Sequence, residues 1–367
     1  MDGSFRKWPS LDAAGPIIAD LHTENFGTFR SITGEIVYDI NDFDDSTQGP
    51  YEYDVRRIAT SLVLAALDNK HAIGDGALAA ESCARAYLDT LVRFGKLKTR
   101  AEFEHLKQRS DTREVLASAV EKSRTEMMQR VAVESSEGKF VLHNKENYLP
   151  VSEKQRQSVV AALPLFLKTC LAPKNAQPER YSFQDVAFRI AGCGSLGRER
   201  YALLLGKGKG VESFDTLRLM EWKGSYDSAL DYPKPHQSKN RARDLVQASI
   251  GFQVLPKRYL GYTIMDGQPM QAREIGANDT RFNAREFTDL DRFAHAARIF
   301  GEITARVHLV SSLGKIGPRA IAKELAGSGQ ERWIQRMVAF AVAYTDRTLD
   351  DYSEFCSRRQ EIAAQWK

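Results

Sequence analysis

The stretch from Val186 to Lys223 constrains the fold most. Short apolar runs, Val186 to Ile190, Tyr201 to Leu205 and Leu217 to Lys223, are separated by glycine-rich breaks. Runs of this kind punctuated by glycine read as strands joined by tight connections, so a sheet is expected here. The first break, Gly192-Cys193-Gly194-Ser195-Leu196-Gly197, has the form G-x-G-x-x-G. A dinucleotide-binding loop of that form opens into a helix whose N-terminus takes the pyrophosphate. Here Arg198 to Leu205 is strand-like, and Gly206-Lys207-Gly208-Lys209-Gly210 breaks it again. The loop should therefore join two antiparallel strands, where its backbone N–H groups can lie over phosphates. Side chains alternate along a strand, so Leu219, Glu221 and Lys223 share one face, and Lys223 can reach phosphates from under the loop. Gly192, Gly194, Ser195, Gly197 and Lys223 are the candidate cofactor-binding residues.

A second constellation stands near Met1. Asp20-Leu21-His22-Thr23-Glu24-Asn25 is followed by Asn41-Asp42-Phe43-Asp44-Asp45. Phosphoryl transfer needs one carboxylate to take the hydroxyl proton, and an amide and another carboxylate to hold Mg²⁺ on the phosphates. Asp20, after apolar Ile17-Ile18-Ala19, should project from a strand end as a general base. Asn25, Asp42 and Asp44 offer the oxygen ligands that a hard cation prefers. His22 is a candidate for orienting this loop or touching phosphate. Asp54 reads as an acid in the first turn of a helix.

Around these motifs, residues 16–60 read as a strand, an irregular loop, a hairpin through Thr33-Gly34-Glu35 and a helix. Residues 75–171 read as mostly helical, with Ala80, Cys83, Tyr87, Leu88 and Leu91 on one stripe and further helices at Val115 to Val133 and Ser152 to Leu171. Pro173 to Pro178 reads as a linker. Residues 239–253 read as a helix, Tyr259 to Ile275 as a hairpin around Asp266-Gly267, and 286–310 and Trp333 to Phe355 as helices.

Composition narrows the partners. The 367 residues are 43% hydrophobic and 27% charged with a formal charge of +4, which implies neither nucleic acid nor an anionic membrane as partner. No apolar run is long enough to span a bilayer, and the first residues carry no signal-peptide core. Cys83, Cys170, Cys193 and Cys356 are scattered, without zinc or disulfide spacing. A cytoplasmic, reduced protein is expected.

The segments IADLHTENFG and VYDINDFDDSTQGPYEYDVRRIATSL, with the later RIAGCGSLGRERYALLL and LMEWKGSYDSAL, resemble domain-of-unknown-function family 2252 of bacteria. The same motifs are similar to aminoglycoside phosphotransferases and, more remotely, to protein kinases. That resemblance implies an α+β, protein kinase-like two-lobed fold, with a small antiparallel sheet lobe and a large helical lobe. It implies Asp20 as catalytic base, Asn25 and Asp42 as Mg²⁺ ligands, Asp54 as a brace of the catalytic loop and Lys223 as the phosphate-gripping lysine. His22, where protein kinases usually carry another residue, favours the small-molecule branch. Two positions depart from the pattern: Ala19 stands where glycine is usual, and Glu221 stands where a small apolar residue meets adenine. Asp244 is the candidate acidic partner of Lys223.

In those families the glycine loop precedes the catalytic loop, whereas here it follows, so the implied fold is circularly permuted. Residues 1–70 would supply catalytic and metal-binding loops of the large lobe and 71–178 its helical part or an insertion. Residues 179–280 would form the nucleotide-binding sheet and 281–367 the remaining helices, with Asp20 and Asp42 facing Lys223 across a cleft. The expected function is ATP- and Mg²⁺-dependent phosphoryl transfer to a hydroxyl of a small-molecule acceptor. The alternatives are AMP transfer from the same site, or a nucleotide-binding regulator without chemistry.

Overall fold

The computed structural model describes residues 13–104, 122–136, 139–142, 147–174, 176–192, 197–207, 213–231, 238–286, 288–313, 315, 317–325 and 329–365. Among them the chain is α+β. In chain order the elements begin with β1 (Ala14–Ile17), β2 (Phe26–Arg30), β3 (Ile36–Ile40) and β4 (Thr47–Pro50), then α1 (Glu52–Asp68), α2 (Ile73–Phe94), α3 (Arg100–Glu104) and α4 (Arg124–Val131). They continue with β5 (Ala132–Glu134), β6 (Phe140–Leu142), β7 (Tyr148–Leu149), α5 (Glu153–Thr169), β8 (Tyr181–Arg189), β9 (Arg200–Lys207) and β10 (Leu217–Gly224). The last are α6 (Arg241–Phe252), β11 (Gly261–Met265), β12 (Gln268–Glu274), α7 (Leu290–Ser311), α8 (Arg319–Glu324) and α9 (Gly329–Gln365). No helix among the described residues is long and apolar enough to cross a membrane.

The chain divides into two compact units. The first comprises Met1–Phe26, Thr47–Thr99 and Phe282–Lys367; the second comprises Gly27–Ser46 and Arg100–Arg281. In the first unit, α2 buries Ala80, Cys83, Tyr87, Leu88 and Leu91, the stripe expected from helical spacing. On α7, Phe293, Ala297, Phe300, Thr304 and Val307 are buried, while Leu290 in the first turn is 42% exposed. Phe300 stacks on Phe26 at 4.1 Å between ring centroids; burying one such ring contributes about 2–3 kcal/mol.

The second unit is built on a six-stranded antiparallel sheet in the order β11-β12-β10-β9-β8-β7. Its two faces follow from strand alternation. Tyr201, Leu203, Leu205, Met220 and Trp222 face α5, where Phe166 meets Trp222 edge-on at 5.7 Å. Ala202, Leu204, Leu217 and Leu219 point the other way, against Met128, Ala132 and Phe140.

The block 75–171 departs from the mostly helical expectation, because β5, β6 and β7 lie inside it. Their runs are too short to show a period of two. They are strands because Ala132 and Phe140 find burial on the sheet. Of the helix expected over Val115 to Val133, only its last part, α4, lies among the described residues, and it ends at Val131.

Candidate functional site

The polar end of the second sheet face in the second unit carries the most concentrated chemistry. Glu221 on β10 lies opposite Arg273 of β12 and Ala202 of β9, while Lys223 lies opposite Gln271 and Arg200. All of these side chains share the Leu219 face by alternation. Glu221 is 1% exposed. Its carboxylate accepts from Arg189, from Arg200 Nε at 2.5 Å and from Arg273 Nε at 2.8 Å. Burial alone would raise the Glu221 pKa, but Arg273, Arg189 and Arg200 outweigh it and hold the carboxyl well below its usual range. Burial would lower Arg273, but Glu221, with Asp42 and Asp44, outweighs it and raises Arg273 above the ordinary guanidinium value.

The loop after β3 docks on this face. Asp44 accepts hydrogen bonds from the Lys223 ammonium on one carboxylate oxygen and from the Gln271 amide on the other. Arg273 Nη1 donates to the Asn41 carbonyl at 3.1 Å. Phe43 anchors the loop, stacked on Phe252 of α6 with centroids 5.3 Å apart. Gln253 Nε2 holds the Ile40 carbonyl at 2.9 Å and Arg241 Nη2 the Ser46 carbonyl at 2.6 Å. Asp42 stands beside Asp44, with the Asp44 N–H 3.4 Å from its Oδ1. Burial first, and then the Asp44 carboxylate, push Asp42 up to about 6 against the pull of Arg273 and Lys223. Burial acts the same way on Asp44, but Lys223 and Arg273 outweigh it and bring Asp44 to about 2. Two neighbouring carboxylates cannot ionise independently, and here the one that Lys223 holds keeps its charge.

Gly192 and Gly197 border the glycine loop between β8 and β9 with φ of 74° and 81°, a left-handed region in which side chains are strained. Gly194 and Ser195 lie outside the described residues. Arg200 donates to the Ala191 carbonyl, fastening one side of this turn to the sheet. Asp244, the expected partner of Lys223, instead faces Arg243 on its own helix.

Asp20, His22 and Asn25 belong to the first unit. Asp20 is about half exposed and paired with Arg57 of α1. Asn25 is buried and its Oδ1 accepts from the His22 backbone N–H at 2.6 Å, so amide and histidine close one tight turn. Asp54 braces the chain just before Asp20. Its Oδ1 accepts from the Ala19 N–H at 2.8 Å, and its Oδ2 from the Ile18 N–H at 2.8 Å and His308 Nε2 at 2.9 Å. The other ring nitrogen of His308, Nδ1, lies 3.0 Å from the Tyr87 hydroxyl. Asp54, Tyr87 and His308 are fully buried. Ala19 has φ of 69°, which explains why glycine is expected there: an L side chain in this region costs about 1–2 kcal/mol. Gly27 in the N-F-G triplet has a different reason. A Cβ there would lie 1.9 Å from the Thr280 carbonyl oxygen.

Thus Asp42, Asp44 and Lys223 come together in the second unit, and Asp20, His22 and Asn25 in the first. Sequence reasoning missed Arg189, Arg200, Gln271 and Arg273, which surround Glu221 and Asp44. Arg189 and Arg200 flank the glycine loop at alternating positions, so strand parity could have placed them on the Glu221 face. Nothing local marks Gln271 and Arg273. Arg57 and His308 were missed as partners because they depend on helix packing. No cluster of three or more His, Cys, Asp or Glu side chains able to hold a metal occurs among the described residues.

The family of uncharacterized proteins conserved in bacteria, DUF2252, matches residues 6–358. The chain belongs to this family. The match runs through both units and includes every candidate residue above, so neither constellation is a separate appendage. Comparison with curated proteins and with solved structures found no match.

Proposed function

We propose that this protein is an ATP- and Mg²⁺-dependent phosphotransferase acting on a hydroxyl of a small-molecule acceptor, with a circularly permuted kinase-like fold. The observation that carries the reading is the Lys223–Asp44 ion pair beside Asp42, one strand after a glycine turn. The element order in this part of the second unit also supports it: β8, β9, the lysine-bearing β10, helix α6 and two further strands, with Gly192 and Gly197 between β8 and β9. On this reading Lys223 and the glycine turn receive phosphates.

The donor set fits a hard divalent cation. Asp42 and Asp44 are adjacent carboxylates, and their mutual repulsion helps to raise Asp42. A bound cation would relieve that repulsion. Mg²⁺ commonly takes one or two protein carboxylates and completes its shell with water and phosphate, so no three-acid cluster is required. Asp42 and Asp44 would hold it. When bound, the ion would offset negative charge on the transferred group. Asp20 would accept the acceptor's proton, with Arg57 orienting its carboxylate and Asp54 fixing the backbone on which it stands.

Thermal melting with Mg-ATP tests the reading, since a ligand of the native state raises the melting temperature. A rise in the wild type that is lost in Lys223→Met and Asp42→Asn is expected. No rise at saturating nucleotide would reject nucleotide binding and leave a nucleotide-independent regulator. Product mass then separates a phosphoryl from an adenylyl adduct, and Asp20→Asn should abolish turnover while keeping the thermal rise.

A further inference from the structure

The second unit contains a cavity of about 340 Å³ whose lining includes Arg189, Glu221, Lys257, Arg273, Asp279 and Arg281. Its size is at the lower end of small-molecule sites. Its charge is unusual for a site that would take a neutral aromatic ring. Glu221 supplies one negative charge against the guanidinium groups of Arg189, Arg200 and Arg273, an excess of two positive charges. Lys257 and Asp279 cancel each other at 2.5 Å. Glu274, also on the lining, is held by Arg258 at 2.6 Å. Arg281, exposed and without an ion pair among the described residues, adds a further positive charge. Asp44 is matched by Lys223. Even with Asp42 ionised, the cavity stays positive.

Most of this charge is withdrawn from water. The Arg200 side chain is 3% exposed and those of Arg189 and Arg273 are 21% and 20% exposed. Buried excess charge is unfavourable until a counter-charge joins it. Guanidinium forks bind oxyanions bidentately, which gives such a counter-charge both energy and orientation.

We infer that this cavity is a binding site for a small, multiply charged oxyanion, gripped by Arg189, Arg273 and Arg281. Phosphates and carboxylates share that chemistry. Lys223 is not part of the lining but Gly192 is, so the cavity borders the glycine loop; the inference itself is carried by the guanidinium groups.

Titration calorimetry on the full chain at low salt tests it, with tripolyphosphate, citrate and adenosine as separate probes. Binding of at least one oxyanion is expected, and the stronger of the two identifies the class. Arg281→Gln and Arg189→Gln should each weaken it about tenfold or more, as for loss of a charge-assisted hydrogen bond. Arg189→Lys should recover part of the loss. Arg281 is exposed, so its variant keeps the test valid if Arg189→Gln misfolds. Three outcomes would overturn the proposal: neither oxyanion binds; adenosine binds more tightly than both; or neither Arg189→Gln nor Arg281→Gln weakens binding. Oxyanion binding without a Mg-ATP thermal rise in the wild type would keep this proposal and reject the phosphotransfer reading.

Discussion

Each unit buries a carboxylate completely, and the two solve the same electrostatic problem differently. Asp54 in the first unit is satisfied by two backbone N–H groups and one imidazole, which fix the local chain. Glu221 in the second is satisfied by three guanidinium groups, which over-compensate it. Two N–H groups and a single imidazole leave no surplus positive charge around an acid, and their geometry is spent on holding a loop. Full charges leave a surplus that another anion can use. The first arrangement suits positioning, and the second suits binding.

The largest effects should come from removing these acids. Glu221→Ala leaves three guanidinium groups facing one another and should cost roughly 3–5 kcal/mol in chemical unfolding. Asp54→Ala orphans two N–H groups and the His308 N–H and should cost a similar or slightly smaller amount. Added sulfate or phosphate separates them. It should restore part of the Glu221→Ala loss and none of the Asp54→Ala loss; equal recovery in both would erase the distinction.

Acid titration sharpens the contrast within the second unit. Asp42 sits at about 6 in the folded chain, above the ordinary aspartate value. Between about pH 4 and 6 the folded state therefore holds a proton that the unfolded state releases. Its contribution to stability is present at the acid end and lost as pH rises through 6. Asp44 and Glu221 run oppositely, because their folded values are depressed. They stabilise at neutral pH, and that stabilisation is lost as pH falls through the carboxylate range. Asp42→Asn should nearly match the wild type near pH 4 and exceed it by roughly 2–3 kcal/mol at pH 7, measured by urea unfolding at each pH. A difference that grows toward acid pH would reverse the assignment.

Smaller effects belong to the first unit. Ala19→Gly removes left-handed strain of about 1–2 kcal/mol and adds about 0.5–1 kcal/mol of unfolded-chain entropy, for a net gain of about 0.5–1 kcal/mol in thermal or urea unfolding. Ala19→Val should lose stability instead. Arg57→Gln breaks a solvent-screened pair with Asp20 and should change stability by less than about 1 kcal/mol. A larger loss would mean that Arg57 holds the loop, as Asp54 does.

Much of this organisation was legible without coordinates. The helices 239–253 and 286–310 and the hairpin around Asp266-Gly267 emerge within a few residues of their expected places, at Arg241–Phe252, Leu290–Ser311, Gly261–Met265 and Gln268–Glu274. In each, burial on one face imposes a period that the sequence must carry. The short strands β5 to β7 were illegible, since two or three residues cannot display a period and their pairing depends on a distant sheet. At the candidate sites the chemical groups were visible and their partners were not. Asp244 was the local choice for Lys223, yet Asp44 takes that place from 179 positions away.

Local order was therefore a property of the linear chain. Glycine breaks, apolar alternation over Tyr201 to Trp222, the stripe from Ala80 to Leu91 and the acids at 20, 42, 44 and 54 are set by side-chain size and period alone. The ionic surroundings of those acids are not, because they depend on register and packing. Cross-strand register set Arg273 opposite Glu221, loop docking gave Asp44 to Lys223, and helix packing brought His308 to Asp54. Coulomb interactions fall within a few ångströms between any residues that folding brings together, so sequence distance carries no information about them.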